Sequence, residues 1–295
     1  MAKKSSSPPF GGSFFSFLRL GRWGVAVLAA AVAVFGVWES GFFEEWGEAL
    51  EGYITNQQVL TWEQRVSPEA LMEMHKMELL GHPLGQKSFQ EPRRLYAPYL
   101  LCEVKYTKEH KSREGLLLLS LLDGEMVVST DPWETTHGWK DCLEAGVCSV
   151  EFSLLRLLAK KPEGLGVEEV QKELKLEKEP FLALVSGLRQ KHLLVQKGQI
   201  LQLHVQEPRF VVLPESKIIQ RIVLKPLTDG QKIPSIYSKA ALRKVAQAVF
   251  GEEFKIKNTR EIFLPIIRLQ VTNPDGSTYA TDWNGVTGTR MIPVL

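Results

Sequence analysis

Aspartate is missing from the first 122 residues, any acidic residue from the first 38, and cysteine occurs only at Cys102, Cys142 and Cys148. Three cysteines cannot staple a disulfide scaffold. Cys142 and Cys148 are near enough in sequence to bridge in an oxidising compartment, but buried or free thiols are the simpler expectation. With His137 they give H-x4-C-x5-C, which matches no zinc spacing. The six histidines, at 75, 82, 110, 137, 192 and 204, form no H-E-x-x-H pair. There is no Walker loop, no G-x-G-x-x-G and no G-x-S-x-G. Thr135, Thr136, His137 and Asp141 are neighbours along the chain, which is not a triad geometry. These absences predict a non-enzyme without metal or cofactor.

Charge is unevenly placed. Residues 1–38 carry Lys3, Lys4, Arg19 and Arg22 and no acid, which leaves 32 basic and 34 acidic residues after Trp38. A slightly acidic body has no general attraction for phosphate polyanions. The stretch Trp23–Trp38, WGVAVLAAAVAVFGVW, is sixteen residues without a charge. Extended by Phe42 and Phe43 and bracketed by tryptophans, it predicts a transmembrane anchor over 23–43. A cleavable signal peptide ending near Ala31-Val32-Ala33 is the rival reading. Basic residues precede the segment, and Glu39, Glu44, Glu45, Glu48 and Glu51 follow it. The N-terminus is therefore expected in the cytoplasm and the C-terminal body outside it. Residues 1–22 read as a disordered cytoplasmic tip and 44–66 as an acidic, aromatic-bearing connector.

Further along, VEFSLLRLLAKK, residues 150–161, places Phe152, Leu154, Leu155 and Leu158 largely on one helical face. PEGLG stops that helix, and VEEVQKELKL, 167–176, is a second amphipathic one. Pro180 suits the first turn of a third, through FLALVSGLRQK. HLLVQ, a Lys197-Gly198 turn and QILQLHV then read as a β-hairpin. This order resembles the winged helix-turn-helix family over 149–205. The resemblance implies that the third helix and wing could touch nucleic acid or a partner through Ser186, Arg189, Gln190, Lys191 and Lys197. Nine Lys/Arg against seven Glu in 150–205 is not a concentrated basic face, which favours a protein partner over DNA.

Two flanking stretches look alike. LLLLSLLDGEMVVSTDPWETTHG, 116–138, and PIIRLQVTNPDGSTYATDWNGVTG, 265–288, each pass from an apolar run through Asp-Gly to Thr-Asp and a Trp. Each predicts a hairpin. The shared motif is Thr130, Asp131 and Trp133 in one and Thr281, Asp282 and Trp283 in the other. The aspartates are expected to cap turns at strand ends and the tryptophans to plug the space under the hairpins. Upstream, Ser67 and Ser238 suit helix N-caps, with helices ending near Gly81 and Gly251. The expected fold is α+β, with related helix-plus-hairpin modules at 67–148 and 206–295 flanking the central segment. Glu103-Val-Lys105 is similar to the E-x-K half of metal-dependent nucleases, but no upstream Asp exists to complete it, and Glu78 or Glu91 would be poor substitutes.

The expectation is therefore a membrane-anchored, non-catalytic interaction or scaffold protein of a membrane or envelope complex, with a protein partner. A membrane-tethered winged-helix DNA-binding regulator is the alternative.

Overall fold

Long runs rich in Val, Ile, Leu and aromatics, whose side chains alternate between two faces, favour extended strands. A computed structural model describes residues 58–81, 87–226 and 230–292, all within the compact unit Asn56–Leu295. The expected tip, anchor and most of the connector fall outside the described residues. Among the described residues no helix is long and apolar enough to cross a membrane. The described residues form a mixed α and β fold, with seven helices and one large sheet of eleven strands among them.

Two strands organise the sheet. β3 (Arg93–Lys108) and β12 (Lys255–Thr272) run antiparallel, paired from Tyr96↔Pro265 to Lys105↔Lys255. Around the pair Ala97↔Leu264 the pattern is two-fold: Tyr96↔Pro265 on one side answers Pro98↔Phe263 on the other. The neighbours obey the same exchange. β1 (Gln58–Trp62) lies parallel to β12 at Thr61↔Phe263, and β11 (Gln231–Lys232) lies parallel to β3 at Lys232↔Tyr96.

A helix follows each of these short strands. Ser67 caps α1 (Pro68–Met74) by accepting from the Ala70 amide, and α2 (Lys76–Leu80) continues it to Gly81. Ser238 caps α7 (Lys239–Phe250) by accepting from Ala241, and Gly251 ends it. Both N-caps are the serines expected from sequence. Each cap satisfies an amide that would otherwise lack a partner, a stabilisation of about 1 kcal/mol.

Each helix covers the hairpin of the other half. Leu71 and Leu79 of α1 and α2 pack with Ile267, Leu269, Val271 and Trp283 on β12 and β13 (Thr278–Asn284). Leu242, Val245, Ala246 and Val249 of α7 join Leu100, Cys102, Val104, Leu117 and Leu119 on β3 and β4 (Lys111–Ser120). The turns after β4 and β13 also match. Ser120 Oγ accepts from the amides of Leu122 and Asp123, as Asn284 Oδ1 does from Val286 and Thr287. Gly124 (φ 74°) and Gly288 (φ 73°) close these turns in the left-handed region. β5 (Met126–Thr130) and β14 (Arg290–Met291) then lead away.

Between the halves the chain forms α3 (Trp139–Glu144), α4 (Ser149–Ala159), β7 (Leu165–Gly166), α5 (Val167–Leu174), α6 (Lys178–Gln190), β8 (Leu194–Lys197) and β9 (Ile200–Leu203). The last two strands and β7 make a three-stranded sheet ordered β7-β9-β8. Phe152, Leu155, Val170, Phe181, Leu188 and Leu201 fill its core. That core is continuous with the residues under α7, so these helices share one apolar interior with the large sheet. Segment 215–217 ties the insertion back: Ser216 donates from its amide to Leu116 O and accepts from Leu118 N.

Candidate functional site

The candidate surface is the outer side of α6 and the β8–β9 turn. Phe181, Val185 and Leu188 bury one stripe of α6 in the core. Leu182, Ala183, Ser186, Arg189 and Gln190 lie on the opposite, exposed stripe, at the i, i+1, i+4, i+7, i+8 spacing of one helical face. Leu182 is 50% exposed, and Ile200, beside the turn, is 46% exposed. Lys197 is exposed at the turn itself. Gln196 accepts at 3.4 Å from Arg189 Nη1 and donates to the Gly198 carbonyl.

Lys191 points elsewhere. Its ammonium donates to both carboxylate oxygens of Glu151 at 2.7 Å, and Glu151 in turn accepts from the Cys148 amide at the start of α4. Burial raises the pKa of Glu151, but Lys191 and the Cys148 amide outweigh it and hold the carboxyl below its ordinary value. Lys191 is thus committed to joining α6 to α4, and the expected contact surface loses one of its three cations. The outer face of α6 instead carries an exposed apolar residue, Leu182, and Ile200 is exposed beside the β8–β9 turn. The signal was present in the sequence: Leu182 stands four residues before Ser186 on the same face.

The Thr-Asp-Trp motifs occupy different environments. Asp131 is exposed after β5, joined to Pro132 by a cis peptide, and Trp133 stands edge-on to Trp62 and Tyr99 with ring centroids 5.4 and 5.7 Å apart. Thr130 is buried and bonds to the Lys217 carbonyl and the Ile219 amide. Asp282 is not a turn cap. It sits in mid-strand on β13, 1% exposed, and receives Arg268 Nε and Nη2 at 2.7 and 2.8 Å. Thr281 accepts from Trp283 Nε1 at 2.9 Å, and Trp283 packs under α1, with His75 at 4.0 Å from its ring. Both tryptophans are apolar fillers, but by backbone pairing Trp283 corresponds to Leu119 and not to Trp133.

The remaining chemistry-bearing residues are dispersed. Glu103 and Lys105 are exposed on β3, opposite Leu116 and Glu114, while Glu78 is on α2 with His75 and Arg290. Cys102 and Cys142 are buried thiols whose pKa values burial pushes up to about 12, and Cys148 is free and exposed. Among the described residues no group of three or more His, Cys, Asp or Glu is placed to hold a metal ion. Glu125 is a buried carboxylate, and it is fully used: Thr136 Oγ1 and the amides of Gly138 and Lys140 donate to it at the start of α3.

No family model, curated protein or solved structure matches the chain.

Proposed function

We propose that this is a membrane-anchored, non-catalytic interaction protein of a membrane or envelope complex, tethered through 23–43 with its body outside the cytoplasm. Residues 149–205 serve in this reading as a winged-helix-like module that binds a protein partner. The observation that carries it is the outer stripe of α6. Exposed Leu182 lies there among small and polar side chains, Ile200 is exposed beside the β8–β9 turn, and Lys191 is withdrawn into an ion pair with Glu151. An apolar centre with a polar rim suits a protein interface, whereas a groove reader of DNA needs a concentrated cationic face. The flanking halves, 58–130 and 231–291, are in this reading two copies of one strand–helix–hairpin unit, supported by their matching caps, pairings and turns.

The test places a photo-crosslinking residue at Leu182 in the full chain in its native membrane. A discrete protein adduct, lost when Ile200 is also changed to Lys, is expected. A nucleic-acid adduct in its place would establish the DNA-binding regulator. A reporter after Leu295 that is active only in the cytoplasm would overturn the orientation.

A further inference from the structure

A cleft of about 360 Å³ opens where α4, the end of α7, the last residues of β3 and the segment after the insertion meet. That volume lies within the range of ligand sites. The segment after the insertion forms one wall. It runs without turn or bend from the bridge at Arg209 to Pro214, and its side chains alternate: Phe210 is buried, Val211 exposed, Val212 half-buried and Leu213 exposed. Neighbouring residues of an extended chain point to opposite faces, so a cleft that touches both Val211 and Val212 runs along the backbone edge. Among the described residues nothing hydrogen-bonds to the backbone N–H or C=O groups of residues 210–213. Such an open edge is a template for another extended chain. It is also short, because Arg209 already gives its N–H to the His137 carbonyl and Pro214 has none to give.

Arg156 supplies the charge. Its guanidinium lies half-buried in the wall of the cleft, where it donates to the Val249 carbonyl at the end of α7 and stands over the Phe152 ring at 5.9 Å. Among the described residues no carboxylate pairs with it. Burial draws its pKa below the ordinary value, with no acid to offset the loss of water. Phe250 and Phe254 add an apolar wall, and Glu252 and Glu253 line the cleft as exposed acids with no described cation paired to either. Glu215, which approaches from the same segment, is taken by the Tyr106 hydroxyl at 2.6 Å. We propose that the cleft binds the C-terminal tail of a partner protein as a strand added along 211–213, with its α-carboxylate on Arg156. The last side chain of the tail is apolar, against Phe250 and Phe254, and a Lys or Arg upstream answers Glu252 and Glu253. A short ladder suits a chain end, and the half-buried cation selects the carboxylate end. An N-terminal tail would bring an ammonium to Arg156 and be repelled. No lining residue belongs to α6 or the β8–β9 turn, so the site stands or falls independently of that surface.

Amide NMR of the full chain in a neutral detergent tests this with acetyl-Lys-Thr-Val-Leu carrying a free C-terminus. Saturable shifts of the Val212 and Leu213 amides and of the Arg156 Nε–H are expected. The same peptide closed as a C-terminal amide should bind at least ~10-fold more weakly, since it lacks the charge-assisted bonds. A version methylated at its last two backbone nitrogens should lose a similar ~10-fold factor, since it cannot complete the ladder. These changes are made on the peptide, so they leave the protein's fold untouched. Arg156→Gln, which keeps a donor for the Val249 carbonyl, should erase the difference between acid and amide at unchanged melting temperature. Absence of shifts with the free-acid peptide overturns the proposal, as does equal binding of its amide or of its methylated form. Acetate binding as tightly as the peptide overturns it in favour of a plain anion site. It is also overturned if an internal Glu-bearing peptide binds as tightly as the free end, or if the free chain self-associates through the same amides.

Discussion

Asp282 and Arg268 show how one fold position can be filled in two chemically different ways. They face each other across β12 and β13, and the equivalent pair across β3 and β4 is Leu101↔Leu118. A carboxylate that is 1% exposed has lost its hydration, and the bidentate guanidinium replaces it. Removing one partner strands the other in an apolar setting. Asp282→Leu is therefore expected to cost about 3–5 kcal/mol in urea unfolding, the usual penalty for breaking a buried pair. Adding Arg268→Leu, which rebuilds the Leu–Leu pair of the other half, should restore most of that loss. A double variant no more stable than the single one would show that the two positions are not equivalent.

At the scale of elements, the start of α4 depends on a side chain from another helix. Glu151 closes the first turn by accepting from the Cys148 amide, and Lys191 at the end of α6 holds it there. The pKa of Glu151 is lowered in the folded protein relative to its ordinary 4.5. Its contribution is therefore complete above about pH 4.5 and lost as the pH falls through the lowered folded value. Urea midpoints between pH 6 and 3 should fall less steeply for Glu151→Gln than for the parent. Equal slopes would mean that the pair contributes nothing to acid stability. The same bond explains why Lys191, at the end of a helix expected to present cations outward, does not belong to the α6 surface.

At the scale of the whole molecule, the crossing of β3 and β12 is the part every other element leans on. Both helical layers and both hairpins attach to these strands, and Ala97, Leu100, Ile262, Leu264, Ile266 and Ile267 are fully buried there. Opening this crossing exposes several apolar layers at once, so it should require global unfolding. Native-state hydrogen exchange is expected to find the amides of Ala97 and Leu264 among the slowest, with α1, α2 and the β8–β9 turn exchanging much earlier. Early exchange at Leu264 would place the stability elsewhere.

Local chemistry was readable along the chain. Ser67 and Ser238 cap helices because a short side-chain oxygen satisfies a free amide wherever the helix begins. The three central helices and their hairpin announced themselves by period and turn residues. The registration of the two halves was not readable, because turn signals recur in non-equivalent places. Asp275-Gly276 turns β12 into β13, but the corresponding β3–β4 turn is Glu109-His110, two residues at φ 52° and 59° without a glycine. Asp123-Gly124 instead corresponds to Thr287-Gly288. Sequence alone determined caps, turns and the period of each apolar run, since these depend on neighbours a few residues apart. Tertiary structure alone decided that each helix covers the other half's hairpin, that Lys191 turns inward and that Asp282 pairs across the sheet. These depend on residues brought together from far along the chain, where burial and charge act across distances that no local pattern encodes.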